Sequence, residues 1–343
     1  MSENHARLLY PFSAIVAQDR MKTALILNAI NPSIGGVLIR GERGTAKSTA
    51  VRSLATLLPD MKVVHGCPFG CDPADPETMC ADCRRKYEEG TLVSSVRKMR
   101  VVELPVSSTE DKVVGTLDIG EAIKSGEKRF DPGVLAEANR NILYVDEVNL
   151  LNDHIVDVLL DAAAMGLNTV EREGISFSHP ANFILVGTMN PEEGDLRPQL
   201  LDRFGLCVNI EGIDDPDVRL EIVKRKMEFD RCPKAFAEKY EPREEEIRRN
   251  IKVAKEMFPQ VTISDDILRK IVNICIEAGV DGHRGDIAMM KVSSTLAAYR
   301  GRKEVTVEDL KDTADMVLLH RMKKTPFSEM KIDKGKLDSI ISG

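Results

Sequence analysis

The run Gly41-Glu42-Arg43-Gly44-Thr45-Ala46-Lys47-Ser48 restricts most strongly what this chain can become. It follows the apolar stretch Val37-Leu38-Ile39 and opens a helical pattern from Thr49 to Leu58, which Pro59 ends. A strand, a glycine-bearing loop closing on Lys-Ser and a helix are together the setting of a phosphate-binding loop. Loop N–H groups and the positive end of the helix dipole converge there on a β-phosphate. Lys47 is expected to reach the β- and γ-phosphates, and the Ser48 hydroxyl to join a Mg²⁺ shell. Ala46 stands where the last glycine is usual, so the loop must use a φ that alanine tolerates. A chance glycine-rich turn would explain the loop alone, but not its two flanking elements.

Four more apolar runs read as strands: Val101–Leu104, Ile142–Val145, Phe183–Val186 and Leu206–Ile210. Near-continuous Val/Ile/Leu content suits a parallel sheet covered on both faces. A helical pattern at about 153–165 places Ile155, Val156, Leu159, Leu160 and Ala163 on one face. The expected fold is α/β, a doubly wound parallel sheet, over residues 1–212. From 213 the pattern turns helical, with 213–244 joining a helical lid at 245–343. There Ser264 is expected to cap a helix that Gly279 ends, a further helix starts near Asp286, and Thr306 caps another reaching about Met322. Glu244–Arg248 and Glu245–Arg249 have the i, i+4 spacing of helix ion pairs.

The strand Ile142–Val145 delivers Asp146 and Glu147 to a sheet edge, where ligands sit in open α/β sheets. Asp146 is expected to hold Mg²⁺ or one of its waters, and Glu147 to polarise the attacking water as general base. A solvated acidic turn is the bland alternative, and the phosphate loop upstream outweighs it. Asn190 ends the next strand and could orient that water. Arg203 is a candidate arginine finger, Arg197 a weaker one, and Arg284 could reach a γ-phosphate from the lid. Any of these arginines could instead be a surface ion pair.

Composition removes other classes. Lys+Arg is 48 against Asp+Glu 55, a net charge of −7, which argues against a nucleic-acid coat or an anionic-membrane binder. No apolar run approaches the roughly 18 residues of a membrane-spanning helix. The first residues show no secretory signal, and a reducing cytoplasm is the expected compartment. Seven cysteines are too few for a secreted disulfide scaffold. Four of them, Cys67, Cys71, Cys80 and Cys83, crowd into a short Pro-rich stretch. Four thiolates there could bind structural Zn²⁺, an iron–sulfur cluster could use the same set, and free thiols or a redox disulfide are further readings.

Taken together, Tyr10–Asp19, Gly41–Thr49, Asn141–Asn152 and Met189–Gly205 resemble an AAA+ ATPase, and specifically the I subunit of magnesium chelatase. The resemblance runs over nearly the whole chain. It implies ATP and Mg²⁺ as ligands, with nucleotide contacts from Ile15, Val16, Gly41, Gly44, Thr45, Ala46, Lys47, Ser48, Thr49 and Asp146. Ala17 stands where the family tends to have glycine. The resemblance also implies a homo-oligomeric, usually hexameric, ring with ATP between protomers, Arg203 acting in trans and Arg284 in cis. Residues 115–139 would carry an insertion, and 167–181 a hairpin turning at Gly174. The implied activity is ATP hydrolysis that remodels a second AAA+, integrin-like subunit and a large tetrapyrrole-binding subunit, where metal enters the macrocycle. Related assemblies insert cobalt. Other clients remain open, either a MoxR-type chaperone task in metalloprotein maturation or DNA remodelling. Glu171, Arg172 and Glu173 on the hairpin do not make the basic surface DNA would need.

Overall fold

The computed structural model describes residues 8–118, 129–172 and 175–322. Helix α1 (Asp19–Ile30) precedes strand β1 (Val37–Gly41), the phosphate loop and helix α2 (Lys47–Leu57). Next come β2 (Met61–Val64), α3 (Ala81–Glu88), β3 (Ser94–Arg97), β4 (Val101–Leu104) and α4 (Glu110–Val114). The chain continues through β5 (Gly115–Asp118), β6 (Arg129–Pro132), α5 (Val134–Ala138), β7 (Ile142–Val145) and α6 (Asp153–Met165). Strands β8 (Leu167–Arg172), β9 (Ile175–Pro180) and β10 (Ile184–Met189) lead to α7 (Pro198–Leu201) and β11 (Leu206–Ile210). Five helices follow: α8 (Pro216–Arg231), α9 (Pro233–Met257), α10 (Asp265–Glu277), α11 (Arg284–Tyr299) and α12 (Val307–Leu318).

All five apolar runs form one sheet, in the order β11-β1-β10-β7-β4, with every pairing parallel. Every residue of β7 and β10 is buried, the burial pattern of strands with helices on both faces. One face is closed by α1 and α2 around Leu25, Leu27 and Leu54, and the other by α6 through Val156 and Leu159. The C-terminal ends of β1, β7 and β10 therefore line up along a single edge. The remaining strands make three antiparallel pairs, β2–β3, β5–β6 and β8–β9. The last two are hairpins. Gly174, the expected turn of the β8–β9 hairpin, lies outside the described residues, as do 119–128 within the expected insertion and 323–343 of the expected lid.

The helical half follows local rules closely. The Ser264 side chain accepts from the N–H of Ile267 at 3.3 Å and caps α10. Gly279 follows that helix at φ +66°. Thr306 and Asp309 form a capping box at the start of α12, which ends at Leu318, short of the expected Met322. Asp309 is fully buried but paired with Arg300 at 2.9 Å and Arg302 at 2.5 Å. Residue 244, the expected end of a joining segment, falls inside the unbroken helix α9.

One expectation is corrected here. Glu244 is not an exposed partner of Arg248. It is buried, and its carboxylate accepts from the backbone N–H of Ser13 at 2.7 Å and of Phe12 at 3.4 Å. Two N–H donors at a chain reversal offer a buried carboxylate more than a solvated guanidinium does. Arg248 pairs instead with Glu241 and Glu245.

Candidate nucleotide site

A cavity of about 910 Å³ lies along the sheet edge. Its lining includes Gly44, Thr45, Ala46, Lys47, Ser48 and Thr49 of the loop. Asp146, Glu147 and Asn190 join them, with Ile15 and Val16 on the opposite wall. Gly41 is not in the lining. Its role is packing, because a Cβ there would meet the Ile210 carbonyl oxygen at 2.4 Å. Helix α8 closes the cavity with Arg219, Ile222, Val223, Lys226 and Phe229, residues without a recognisable motif in the sequence.

Helix α2 starts from Ala46, which supplies no capping side chain. The orphan N–H groups of its first turn thus face the cavity as anion donors. Ala46 itself is at φ +62°, and Ala17 at φ +55°. Both alanines hold the left-handed backbone of the glycines they replace, rather than moving the loop to a φ that suits alanine. Lys47 Nζ donates to the Gly41 carbonyl and, at 3.5 Å, to that of Met189. Burial lowers the Lys47 pKa, while the nearby Asp146 carboxylate acts the other way. A part-desolvated ammonium bonded only to carbonyls gains from an arriving phosphate.

Asp146 accepts from Thr188 Oγ1 at 2.5 Å and from the Tyr144 hydroxyl at 2.9 Å. Both donors arrive on the neighbouring strands β7 and β10. Burial raises the Tyr144 pKa, so the phenol stays a donor. Ser48 and Asp146 offer only oxygen ligands, which suits Mg²⁺. Glu147 sits at φ +54°, its N–H donating to Thr188 Oγ1 at 3.2 Å. Its carboxylate accepts from Arg43 Nη2 at 2.9 Å, and the same guanidinium reaches Glu193 at 2.5 Å. Asn190 is buried and its Oδ1 accepts from the N–H of Glu192 at 3.3 Å. Thr188 lies outside the quoted motifs, and although Tyr144, Glu193 and Arg43 lie within them, the sequence assigned them no role.

The three arginines lie elsewhere. Arg197, Arg203 and Arg284 line a separate cavity of about 260 Å³ that shares no residue with the nucleotide cavity. Arg203 pairs with Asp157 and Asp161 of α6, Arg197 with Asp153 at 2.5 Å, and Arg284 with Asp202 at 2.9 Å. Arg284, expected to reach a γ-phosphate in cis, does not line the nucleotide cavity of its own chain. The lid docks onto α1 and the turn after it, through Asn31 Nδ2 to Thr295 Oγ1 at 3.2 Å and Lys291 Nζ to the Ser33 carbonyl at 2.6 Å. That docking carries the start of α11 beside Arg203. Arg321, whose pKa burial pushes down to about 10, donates to the carbonyls of Asp202, Phe204 and Gly205 and ties the Arg203 segment to the lid.

A family model described as magnesium chelatase, subunit ChlI, matches residues 92–213, and one described as an AAA lid domain matches 268–340. A Methanocaldococcus jannaschii protein named magnesium-chelatase subunit ChlI homolog is 56% identical over 334 residues, covering 97% of this chain and 91% of that one. The chain belongs to the magnesium-chelatase subunit ChlI family. A Nostoc magnesium-chelatase subunit ChlI is 51% identical, covering 98% of this chain and 90% of the relative. A chain in a structure of the complex between subunits BchI and BchD of magnesium chelatase is 47% identical with a TM-score of 0.56, covering 93% of this chain and 98% of that one. The ChlI-family fold is the AAA+ arrangement of a parallel α/β sheet with a C-terminal helical lid. Among the described residues no helix is long and apolar enough to cross a membrane.

This ChlI-family chain carries a further cluster, outside the lining of the nucleotide cavity. Cys67, Cys71, Cys80 and Cys83 are brought together, with every sulfur within 4.8 Å of the others. All but Cys67 are buried.

Proposed function

We propose that this chain is the ATP-hydrolysing motor of a metal chelatase, working as a ring with the nucleotide between two copies and driving metal insertion by partner subunits. The carrying observation is one cavity that gathers the phosphate loop, Asp146, Glu147 and Asn190. Lys47 and the α2 N-terminus hold the phosphates, and Ile15 and Val16 pack near the base. Ser48 and Asp146 hold Mg²⁺, which when bound neutralises charge on the phosphate oxygens. Glu147 takes a proton from the attacking water as the water oxygen bonds to the terminal phosphorus and the bond from that phosphorus to the bridging oxygen breaks to leave ADP, while Asn190 orients that water.

Arg43 ties Glu147 to Glu193. At 69% exposure Arg43 makes a weak, solvent-screened pair, so phosphate competes for it easily. Freed of Arg43, Glu147 can turn to the water. Arg203 and Arg284 lie together and away from their own cavity, which favours action on a neighbour's triphosphate for both. Two guanidiniums from the next subunit would stabilise the charge developing in phosphoryl transfer.

Magnesium into a porphyrin-type ring is the favoured partner chemistry, with cobalt insertion the alternative. The partners are a second AAA+, integrin-like subunit and a large tetrapyrrole-binding subunit, and the compartment is the cytoplasm. The four cysteines lie outside the nucleotide cavity and take no part in hydrolysis. Glu147→Gln tests the reading. Mg²⁺-dependent ATP hydrolysis should fall at least about a hundredfold with nucleotide affinity kept. Full turnover in that variant would remove Glu147 from its role.

A further inference from the structure

Three geometries compete for four clustered cysteines, and sulfur spacing separates them. A disulfide needs sulfurs about 2.05 Å apart, and its partners are only two. Four thiolates on one Zn²⁺, with bonds of about 2.3 Å, stand at tetrahedral corners about 3.8 Å apart. In a four-iron cluster each thiolate ends on a different iron, which pushes the sulfurs to about 6 Å or more. Here Cys67 and Cys80 sulfurs are 4.0 Å apart, and all four lie within 4.8 Å of one another. The pocket is too tight for a cluster, and its four sulfurs close around a single ion.

The backbone is shaped for the same end. Cys67 and Cys71 flank a turn in which the Gly70 N–H donates to the Cys67 carbonyl at 3.2 Å, with Gly70 at φ +58°. A Cβ at Gly70 would meet the Arg97 guanidinium at 2.3 Å and would require that side chain to move. Cys80 is the N-cap residue of α3 and Cys83 lies in its first turn, where the helix dipole favours thiolates. The Cys80 N–H also donates to the Cys71 sulfur at 3.2 Å. A tetrathiolate zinc carries a charge of −2. Beside the turn, half-buried Arg97 keeps its Nε buried without a partner. That cation is well placed to balance the site.

We propose that Cys67, Cys71, Cys80 and Cys83 form a mononuclear, tetrahedral Zn²⁺ site that fixes the base of the two hairpins. Binding converts four thiols and one Zn²⁺ to a zinc tetrathiolate and releases four protons, so charge balances. The lever is Phe69, which the turn presents between two ligands. Its ring stacks on His179 of β9 at 4.8 Å and lies 6.3 Å from Phe130 of β6 and 6.2 Å from Phe177 of β9. Phe130 and Phe177 stack on each other at 4.2 Å, joining the two hairpins. An ion holding the turn therefore holds the aromatic base from which both hairpins project.

The test is metal analysis of the full chain purified with zinc present, followed by cobalt substitution. The expected result is one zinc per chain, no iron or acid-labile sulfide, and the intense visible bands of tetrahedral thiolate cobalt. Cys67→Ser/Cys83→Ser should lose the ion, speed amide exchange in β6 and β9 and keep basal ATP hydrolysis, while Cys232→Ser keeps one zinc. If the double variant does not fold, mercurial titration of the native chain replaces it and should release one zinc as four thiols react. Two or four irons with sulfide, four reactive thiols without metal, or a Cys67–Cys80 disulfide would each overturn the proposal. Unchanged exchange in the hairpins after zinc release would overturn the clamping role.

Discussion

Ala46 and Ala17 show how a single methyl group is accommodated at the nucleotide edge. Each keeps a left-handed φ, +62° and +55°. An L-residue with a Cβ is strained there by about 1–2 kcal/mol. Replacing alanine by glycine relieves that strain but adds about 0.4–1 kcal/mol of unfolded-chain entropy. Ala46→Gly is therefore expected to raise the urea midpoint by an amount worth up to about 1 kcal/mol, with ATP affinity retained. A lower midpoint would mean that the methyl contributes packing not visible at the loop. The substitution was legible in the sequence and its conformation was not, because φ is set by the loop's closure over the cavity. Asp146 and Glu147 were legible for the opposite reason, since a buried strand delivers whatever follows it to the sheet edge. Their partners Thr188 and Arg43 lie on other elements, so nothing local in the sequence marks them.

At the scale of elements, local patterns fixed helix and strand positions well. The strand β7 and helix α6 stand where their apolar periodicities put them. Long-range partners were not readable. Glu244 was assigned by i, i+4 spacing, yet its donors are 231 and 232 positions away. The hairpin β8–β9 and the end of the lid also hold two histidines in places that disfavour charge. Burial lowers the pKa of His179, which sits against Phe69 and whose Nε2 accepts from Asn168 Nδ2 at 2.9 Å. Burial, reinforced by Arg321, lowers that of His320 well below the ordinary value. In the unfolded chain both take up protons near pH 6.5, while the folded chain resists. The stability contribution is therefore intact above about pH 6.5 and is lost as pH falls below it. The urea midpoint should drop between about pH 7.5 and 5.5, and less steeply in a variant with Gln at both positions. Equal slopes would remove the two histidines from the acid response.

For the whole molecule, the residues of the proposed chemistry divide between two surfaces of one chain. One holds the phosphate loop and Glu147, the other gathers Arg203 and Arg284 around α7. The lid's docking onto α1 sets this separation, and contacts such as Asn31 with Thr295 cross 264 positions of sequence. Such packing is invisible to motif spacing, so the sequence could not show that Arg284 lines a cavity separate from the phosphate loop. On the proposed function these two surfaces are complementary halves of one site, brought together where copies of the chain meet. The most direct measurement mixes two variants, Glu147→Gln and Arg203→Ala, each expected to bind ATP and hydrolyse it poorly. In mixed assemblies some interfaces pair an intact Glu147 with a neighbour's intact Arg203, so ATP hydrolysis should recover, highest near equal proportions. If mixed assemblies form and hydrolysis stays at the level of the separate variants at every ratio, the shared site is wrong.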